Sequence, residues 1–324
     1  MSPDEGSPRD GASQKTGVRV GGRTPVTPAP GAGGGGRGAY VRLLRPHQWI
    51  KNGFVLVGLL FGHAWHDPAK VTMALAAFAA FCLLASAVYV MNDLADREQD
   101  RLHPDKRHRP LASGALGTGA AIALGLACLA GGLALAFTLA GIAPWIFVAY
   151  LLLNAAYSAG LKHVVILDVF LIAAGFMLRL LAGTVGIGIA PSHWLLLCGL
   201  MLTLFLGFAK RRAELNALLA ESGGHRRVLE HYSPAMLDQF LTMTAMGTII
   251  TYSLYTVSTE TVAQHGTPYL MTTVPFVLYG MLRYLYRLHR QGGGGDPARE
   301  LFRDGHLLAA FFGWLATVLA VLAR

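Results

Sequence analysis

Apolar runs long enough to cross a bilayer constrain this chain more than any other feature. A transmembrane helix needs roughly 20 mostly apolar residues, and nine stretches approach that length, at approximately 46–65, 71–91, 118–139, 142–161, 164–183, 193–209, 237–259, 269–286 and 307–323. Hydrophobic residues make up 53% of the 324 and charged residues only 14%, a balance that a water-soluble domain does not carry. This excludes a compact cytosolic enzyme, a disordered scaffold and a secreted disulfide module. Cys82, Cys128 and Cys198 each lie inside an apolar run, where a thiol acts as a small hydrophobe, so neither a disulfide framework nor a zinc site is implied. The expected fold is all-α: a polytopic membrane protein with nine transmembrane helices.

The net charge of +9 raises the question of a nucleic-acid partner, and its distribution answers it. Eight Lys or Arg precede the first span or lie within its start, ending at Lys51. Arg97, Arg101, Lys106, Arg107 and Arg109 follow the second span, and Lys162 the fourth. Lys210, Arg211, Arg212, Arg226 and Arg227 follow the sixth, and Arg283, Arg287, Arg290, Arg299 and Arg303 the eighth. Only Lys70, Arg179 and Arg324 of the 27 basic residues break this alternation. Under the positive-inside rule the rich segments face the cytoplasm, so the N-terminus is inside and the C-terminus outside. The charge expresses topology in a plasma (inner) membrane, and no nucleic acid is expected.

Residues 1–38 are dense in Gly and Pro and lack an apolar run, so a disordered tail is expected there, with the folded domain at 39–324. The tail has no apolar core of the kind a signal peptide needs. The stretch QGGGGDP at 291–297 reads as a second flexible segment.

The most informative stretch is NDLADREQDRLHPDKRHRPLASG, Asn92 to Gly114. A helix continuing to about Leu102, where His103 and Pro104 end it, places Asp93, Asp96 and Asp100 within about 60° of one another around its axis. Three carboxylates on one face repel, and a divalent cation relieves that repulsion; Mg²⁺ is favoured where substrate phosphates share the site. Glu98 faces the opposite way, toward solvent. The plainer reading is a charged helix end paired with Arg97, Arg101 and Lys106.

Other candidates carry two readings each. Lys51 is either a ligand group inside the first span or a lysine snorkelling to the interface. Tyr157 and Lys162 close the fourth span as site residues, or as an interfacial aromatic and a topology charge. Asp168 and Arg179 lie at nearly the same helical angle, about 16 Å apart along the axis; at such depth a charge faces a cavity or a partner. Trp49, Trp65 and Trp194 read as interface anchors.

The Asn92–Asp100 stretch resembles the first aspartate-rich motif, N-D-x-x-D-x-x-x-D, of the intramembrane (UbiA-type) prenyltransferase superfamily, which includes the ubiquinone-pathway 4-hydroxybenzoate polyprenyltransferase. The resemblance runs from about residue 40 to the C-terminus. It implies that Asn92, Asp93, Asp96 and Asp100 bind Mg²⁺ carrying a substrate pyrophosphate. LLRPHQWIKN at 43–52, DKRHRPLASG at 105–114, AAYSAGLKHVVILDVFLIAAGFMLR at 155–179, FLGFAKRRAEL at 205–215 and PFVLYGMLRYLY at 275–286 further resemble one branch, the decaprenyl-phosphate phosphoribosyltransferases of actinobacteria. Aromatic prenyltransferases have a second carboxylate motif after the sixth span, and here Lys210, Arg211, Arg212, Ala213 and Glu214 stand instead.

The resemblance implies an enzyme with a cavity opening to the cytoplasm, transferring 5-phosphoribose from phosphoribosyl pyrophosphate to a polyprenyl phosphate, a step towards an arabinan donor of the cell wall. Asp93, Asp96 and Asp100 would be its catalytic carboxylates. Lys106, Arg107, Arg109, Lys162, Lys210 and Arg211 would clamp phosphates, with Lys51, Tyr157, Asp168 and Arg179 completing the substrate site. An aromatic prenyltransferase using an allylic diphosphate is the enzymatic alternative. A transporter is the other, and it would line a through-path with charge on several spans. Lipid chain length and oligomeric state stay open, an assembly of identical copies included.

Overall fold

The computed structural model describes residues 36–104, 106–139, 143–220, 229, 231–290 and 297–323. Every regular element among them is helical. The expected tail lies outside them as far as residue 35, and α1 (Arg37–Leu44) begins next to it. A 3₁₀ segment, Pro46–Leu56, leads into α2 (Val57–Phe61). There follow α3 (Pro68–Ala95), α4 (Arg97–Leu102), α5 (Thr118–Phe137), α6 (Ala143–Ala159), α7 (Leu167–Ala182) and α8 (His193–Ala220). The chain continues through α9 (Pro234–Val257), α10 (Thr259–His265), α11 (Val274–Arg290), α12 (Pro297–Arg303) and α13 (Gly305–Leu322). Arg226 and Arg227 lie outside the described residues.

Six of the nine expected spans are helices long and apolar enough to cross a membrane: α3, α5, α8, α9, α13, and α7 with the turn that extends it to Ile187. The fourth is shorter, the 17 residues of α6. The eighth divides into a 3₁₀ turn, Tyr269–Thr273, and the amphipathic α11, whose last turns carry Arg287 and Arg290. The first is not one α-helix but the 3₁₀ run and α2. Runs of 3₁₀ helix beyond 3–4 residues are uncommon and mark strained or functional segments; this one spans 11 residues and carries Lys51 and Asn52. It passes close to the end of α7: a Cβ on Gly183 would lie 1.7 Å from the Val55 carbonyl oxygen, and one on Gly58 would lie 1.8 Å from that of Gly183. Only glycine permits backbones to approach this closely.

Local sequence explains the helix starts. Asp67 caps α3 by accepting from the N–H groups of Ala69 and Lys70, with Pro68 in the first turn. Ser233 caps α9 by accepting from Met236 N–H, ahead of Pro234. Each such cap contributes about 1 kcal/mol.

Two apolar cores hold the helices. Phe205, Phe208, Leu237, Leu241, Tyr284 and Leu288 join α8, α9 and α11 to Val169 and Ala173 of α7. Phe81, Leu84, Phe147, Tyr150 and Val55 join α3, α6 and the 3₁₀ segment to Ala182 of α7. Helix α7 serves both cores, so a polar side chain on it must find a protein partner. Outward faces keep Leu126, Trp145, Leu152, Met243 and Leu282 exposed, which in a polytopic protein is the surface offered to lipid. Trp49 does not: its indole N–H donates to Ser86 Oγ at 3.0 Å, inside the fold.

Candidate active site

At the end of α3 the chain leaves helical geometry for one residue, Asp96 (φ −90°, ψ 4°), before α4 resumes and ends at Leu102 with His103 as its cap. That break sets the three carboxylates in different surroundings. Asp93 and Asp100 are both buried, while Asp96 is half-buried and meets no donor among the described residues. Among those residues no three His, Cys, Asp or Glu side chains converge to hold an ion. The two buried carboxylates converge instead on one guanidinium: Arg109 Nη1 lies 3.0 Å from Asp93 Oδ1 and 2.7 Å from Asp100 Oδ2. Arg45 Nη2 donates to the same Asp93 oxygen at 2.6 Å. Charge-assisted contacts of this kind are worth about 1.5–3 kcal/mol each.

The Arg109 nitrogen sits between the two carboxylates, where a cation bridging them would lie. Their hard oxygen donors suit Mg²⁺, with Asn92 beside them, so the residues present fit that ion. Glu98 is exposed and pairs with Arg101, as its place on the opposite face requires. Lys106 and Arg107 are exposed on the turn that precedes Arg109.

A second polar group lies across α6. Arg211 of α8 is fully buried, its Nε 2.6 Å from Asp168 Oδ2 of α7, its other nitrogens meeting Glu214 and, at 3.4 Å, the Tyr157 hydroxyl. Lys210 stands 3.9 Å from Glu214, and Lys51 and Tyr157 are near enough to act electrostatically on Lys210. Adjacent residues of α6 join the two groups. Tyr157 accepts from Arg211, and Ser158 Oγ donates to Asn92 Oδ1 at 3.1 Å. Lys162 follows on a single 3₁₀ turn, Leu161–His163, half-buried and with no partner among the described residues.

Asp168 and Arg179, each expected to face a cavity or a partner, take separate partners. Arg179 lies deeper, donating to Asn52 Oδ1 at 2.8 Å, to Gly175 O at 2.8 Å and to the Tyr150 hydroxyl at 3.1 Å, with Phe81, Tyr150 and Phe176 around its guanidinium. This resolves the cost of an intramembrane arginine by enclosing it. Asp168 Oδ1 accepts from the Tyr232 hydroxyl at 3.0 Å, while its other oxygen takes Arg211. Burial pushes the Tyr232 phenol up to about 12, so it stays a donor.

The family profile that matches this chain, over residues 53–304, is that of the UbiA prenyltransferase family. The chain belongs to that family. Two similar curated relatives are decaprenyl-phosphate phosphoribosyltransferases. That of Corynebacterium glutamicum is 36% identical over 286 residues, covering 85% of this chain and 84% of the relative; that of Mycolicibacterium smegmatis is 34% identical over 295, covering 86% and 90%. A solved structure of a UbiA homologue from Archaeoglobus fulgidus, bound to GPP and Mg²⁺, superposes with a TM-score of 0.66 at 19% identity, over 88% of this chain and all of that one. The UbiA fold is thus carried by this sequence at low identity to that structure.

Several residues around these carboxylates and arginines carry no sequence signal of their own. Arg45 entered only as a topology charge, although it precedes Pro46 in the LLRPHQWIKN stretch; its left-handed backbone (φ 53°, ψ 56°) and its place over the Tyr89 ring (5.1 Å) have no sequence signal. Asn52, Tyr150, Ser158 and Tyr232 became visible only through their partners.

Proposed function

We propose that this protein transfers 5-phosphoribose from phosphoribosyl pyrophosphate to a polyprenyl (decaprenyl) phosphate and releases pyrophosphate, working at the cytoplasmic face of the plasma membrane as a nine-span protein. The names of relatives 34–36% identical over most of the chain support it. The observation that carries it is the composition of the second polar group, where Lys51, Lys210 and Arg211 outnumber Asp168 and Glu214, with Lys162 on the turn that follows α6. An allylic diphosphate has one anionic end. Phosphoribosyl pyrophosphate has anions at both ends of its ribose, and the acceptor adds another, so this reaction needs a cationic group away from the carboxylates.

In this reading Asn92, Asp93, Asp96 and Asp100 hold Mg²⁺, which when bound neutralises charge on the departing pyrophosphate. Arg45 and Arg109, freed from the carboxylates they pair with, turn to pyrophosphate oxygens, with Lys106 and Arg107 at the rim. Lys51, Lys162 and Lys210 take the 5-phosphate and the acceptor phosphate. The C1–O bond to pyrophosphate breaks as an acceptor oxygen bonds C1, and the carboxylates favour the positive charge that C1 develops. A phosphate monoester with a second pKa of about 6 is largely dianionic at pH 7 and needs no strong general base. Arg211 and Arg179, whose donors are already engaged, hold the walls in place rather than contact substrate.

The test is pyrophosphate release by purified protein in detergent. Release with Mg²⁺, phosphoribosyl pyrophosphate and decaprenyl phosphate, abolished by chelation, is expected. Turnover of an allylic diphosphate with an aromatic acceptor, and none with phosphoribosyl pyrophosphate, overturns the proposal.

A further inference from the structure

The connection between α6 and α7 is bounded by two residues with positive φ. Gly160 (φ 153°) tolerates this; Ile166 (φ 68°, ψ −48°) is β-branched and does not. Leu167 N–H donates to Val165 O at 2.8 Å, which makes Ile166 the centre of a γ-turn of the rare, strained hand. Such a conformation is strained and persists only where the surroundings over-determine it.

Backbone hydrogen bonds from Val169 and Phe170 N–H to Ile166 O hold one side of the turn, and the side-chain contribution comes from one hydroxyl. Ile166 N–H donates to Tyr232 Oη at 2.6 Å, and that hydroxyl donates its own proton to Asp168 Oδ1 at 3.0 Å. Asp168 is anchored in turn by Arg211, and both are fully buried. Tyr232, itself buried, lies just before α9. One side chain therefore ties the α6–α7 connection to α7, α8 and the approach to α9. The connection carries Lys162, a cation with no partner among the described residues, at the end of the helix that supplies Tyr157 and Ser158 to the two polar groups.

We infer that Tyr232 is a positioning residue: its hydroxyl holds the strained turn at Ile166 so that Lys162 is presented to a substrate phosphate. The inference rests on the proposed phosphoribosyl transfer for the identity of that phosphate, while the clamp itself can be read without turnover.

The experiment compares Tyr232→Phe, Lys162→Ala, their double variant, and Tyr232→Phe with Ile166→Gly, by backbone hydrogen exchange over residues 160–168 and by kinetics with both substrates. Tyr232→Phe is expected to speed exchange in that stretch. It should raise the KM for the same phosphate substrate that Lys162→Ala affects, by about ten-fold for the removal of one charge-assisted hydrogen bond, with kcat within about two-fold. Adding Lys162→Ala to Tyr232→Phe should then weaken binding little further, because both act through the same lysine. Ile166→Gly should restore most of the KM, since glycine adopts the turn without the hydroxyl. Unchanged exchange in Tyr232→Phe overturns the inference, and so does a KM effect that is additive with Lys162→Ala or absent from it. Expected exchange behaviour with no release of pyrophosphate from phosphoribosyl pyrophosphate by the unmodified protein instead removes the proposed function and, with it, the role given to Lys162.

Discussion

The Asp168–Arg211 pair offers the sharpest energetic test of this architecture. Both side chains are fully buried and their nearest atoms are 2.6 Å apart. At a charge separation of about 4 Å and an effective dielectric of about 20, their attraction is about 4 kcal/mol. Removing one partner leaves the other charge buried, which costs about 3–5 kcal/mol. The two single variants should differ. In Asp168→Leu, Arg211 keeps Glu214 and Tyr157, so a loss near 3 kcal/mol is expected; in Arg211→Met, Asp168 keeps, among the described residues, only Tyr232, so the loss moves toward 5 kcal/mol. The double variant removes both charges and fills the space with apolar atoms, and should lie within about 2 kcal/mol of the unmodified protein. Reversible unfolding in mixed micelles, followed by tryptophan fluorescence, measures all three. A coupling energy of about 2 kcal/mol or more is expected. Single variants within about 1 kcal/mol of the unmodified protein, or a double variant that loses the sum of both, would refute the reasoning. A related consequence is that Arg211 variants act first through stability, not through substrate affinity.

Three further outcomes follow from the site and its surroundings. Asp93→Asn and Asp100→Asn should each lower kcat by at least about 100-fold, the scale of losing one charge-stabilising group, while Glu98→Gln stays near unmodified activity in the same pyrophosphate-release assay. Asp304 caps α13 and is held well below the usual carboxylate range, chiefly by Arg283 and also by Arg287. A depressed carboxylate contributes stability that is complete above the ordinary range and lost as pH falls through its own titration, so Asp304→Asn should flatten the acid limb of a stability–pH curve without steepening the neutral region. Reporters fused near residue 220 and after Arg324 should fall on opposite sides of the membrane, the first cytoplasmic; finding both on one side would remove the nine-span topology.

How much of this was legible beforehand differs from residue to residue. Spans with long uninterrupted apolar runs, such as those of α3, α8 and α9, were readable because length and hydropathy alone decide whether a segment can cross a bilayer. The first span was not: Pro46–Leu56 is as apolar as its neighbours require, yet it becomes a 3₁₀ run pressed against Gly183, a fit that depends on a residue more than a hundred positions away. The aspartates were found by helical spacing, which is local. Their unequal burial and pairing were not, because the break at Asp96 and the bridge from Arg109 arise where α3 and α4 meet the following loop.

The pattern of apolar runs, alternating basic loops and regularly spaced carboxylates follows from sequence by itself, since each depends only on neighbours along one helix or on which side of a bilayer a loop is retained. Partnership was decided by tertiary structure. Arg179 and Asp168 share an angle on α7, yet one turns to Asn52 of the 3₁₀ segment and the other to Arg211 of α8, because the two apolar cores on either side of α7 bring different helices to its two ends. A buried charge is stable only beside its counter-group, and which counter-group arrives is set by the packing of whole helices, which no local spacing encodes.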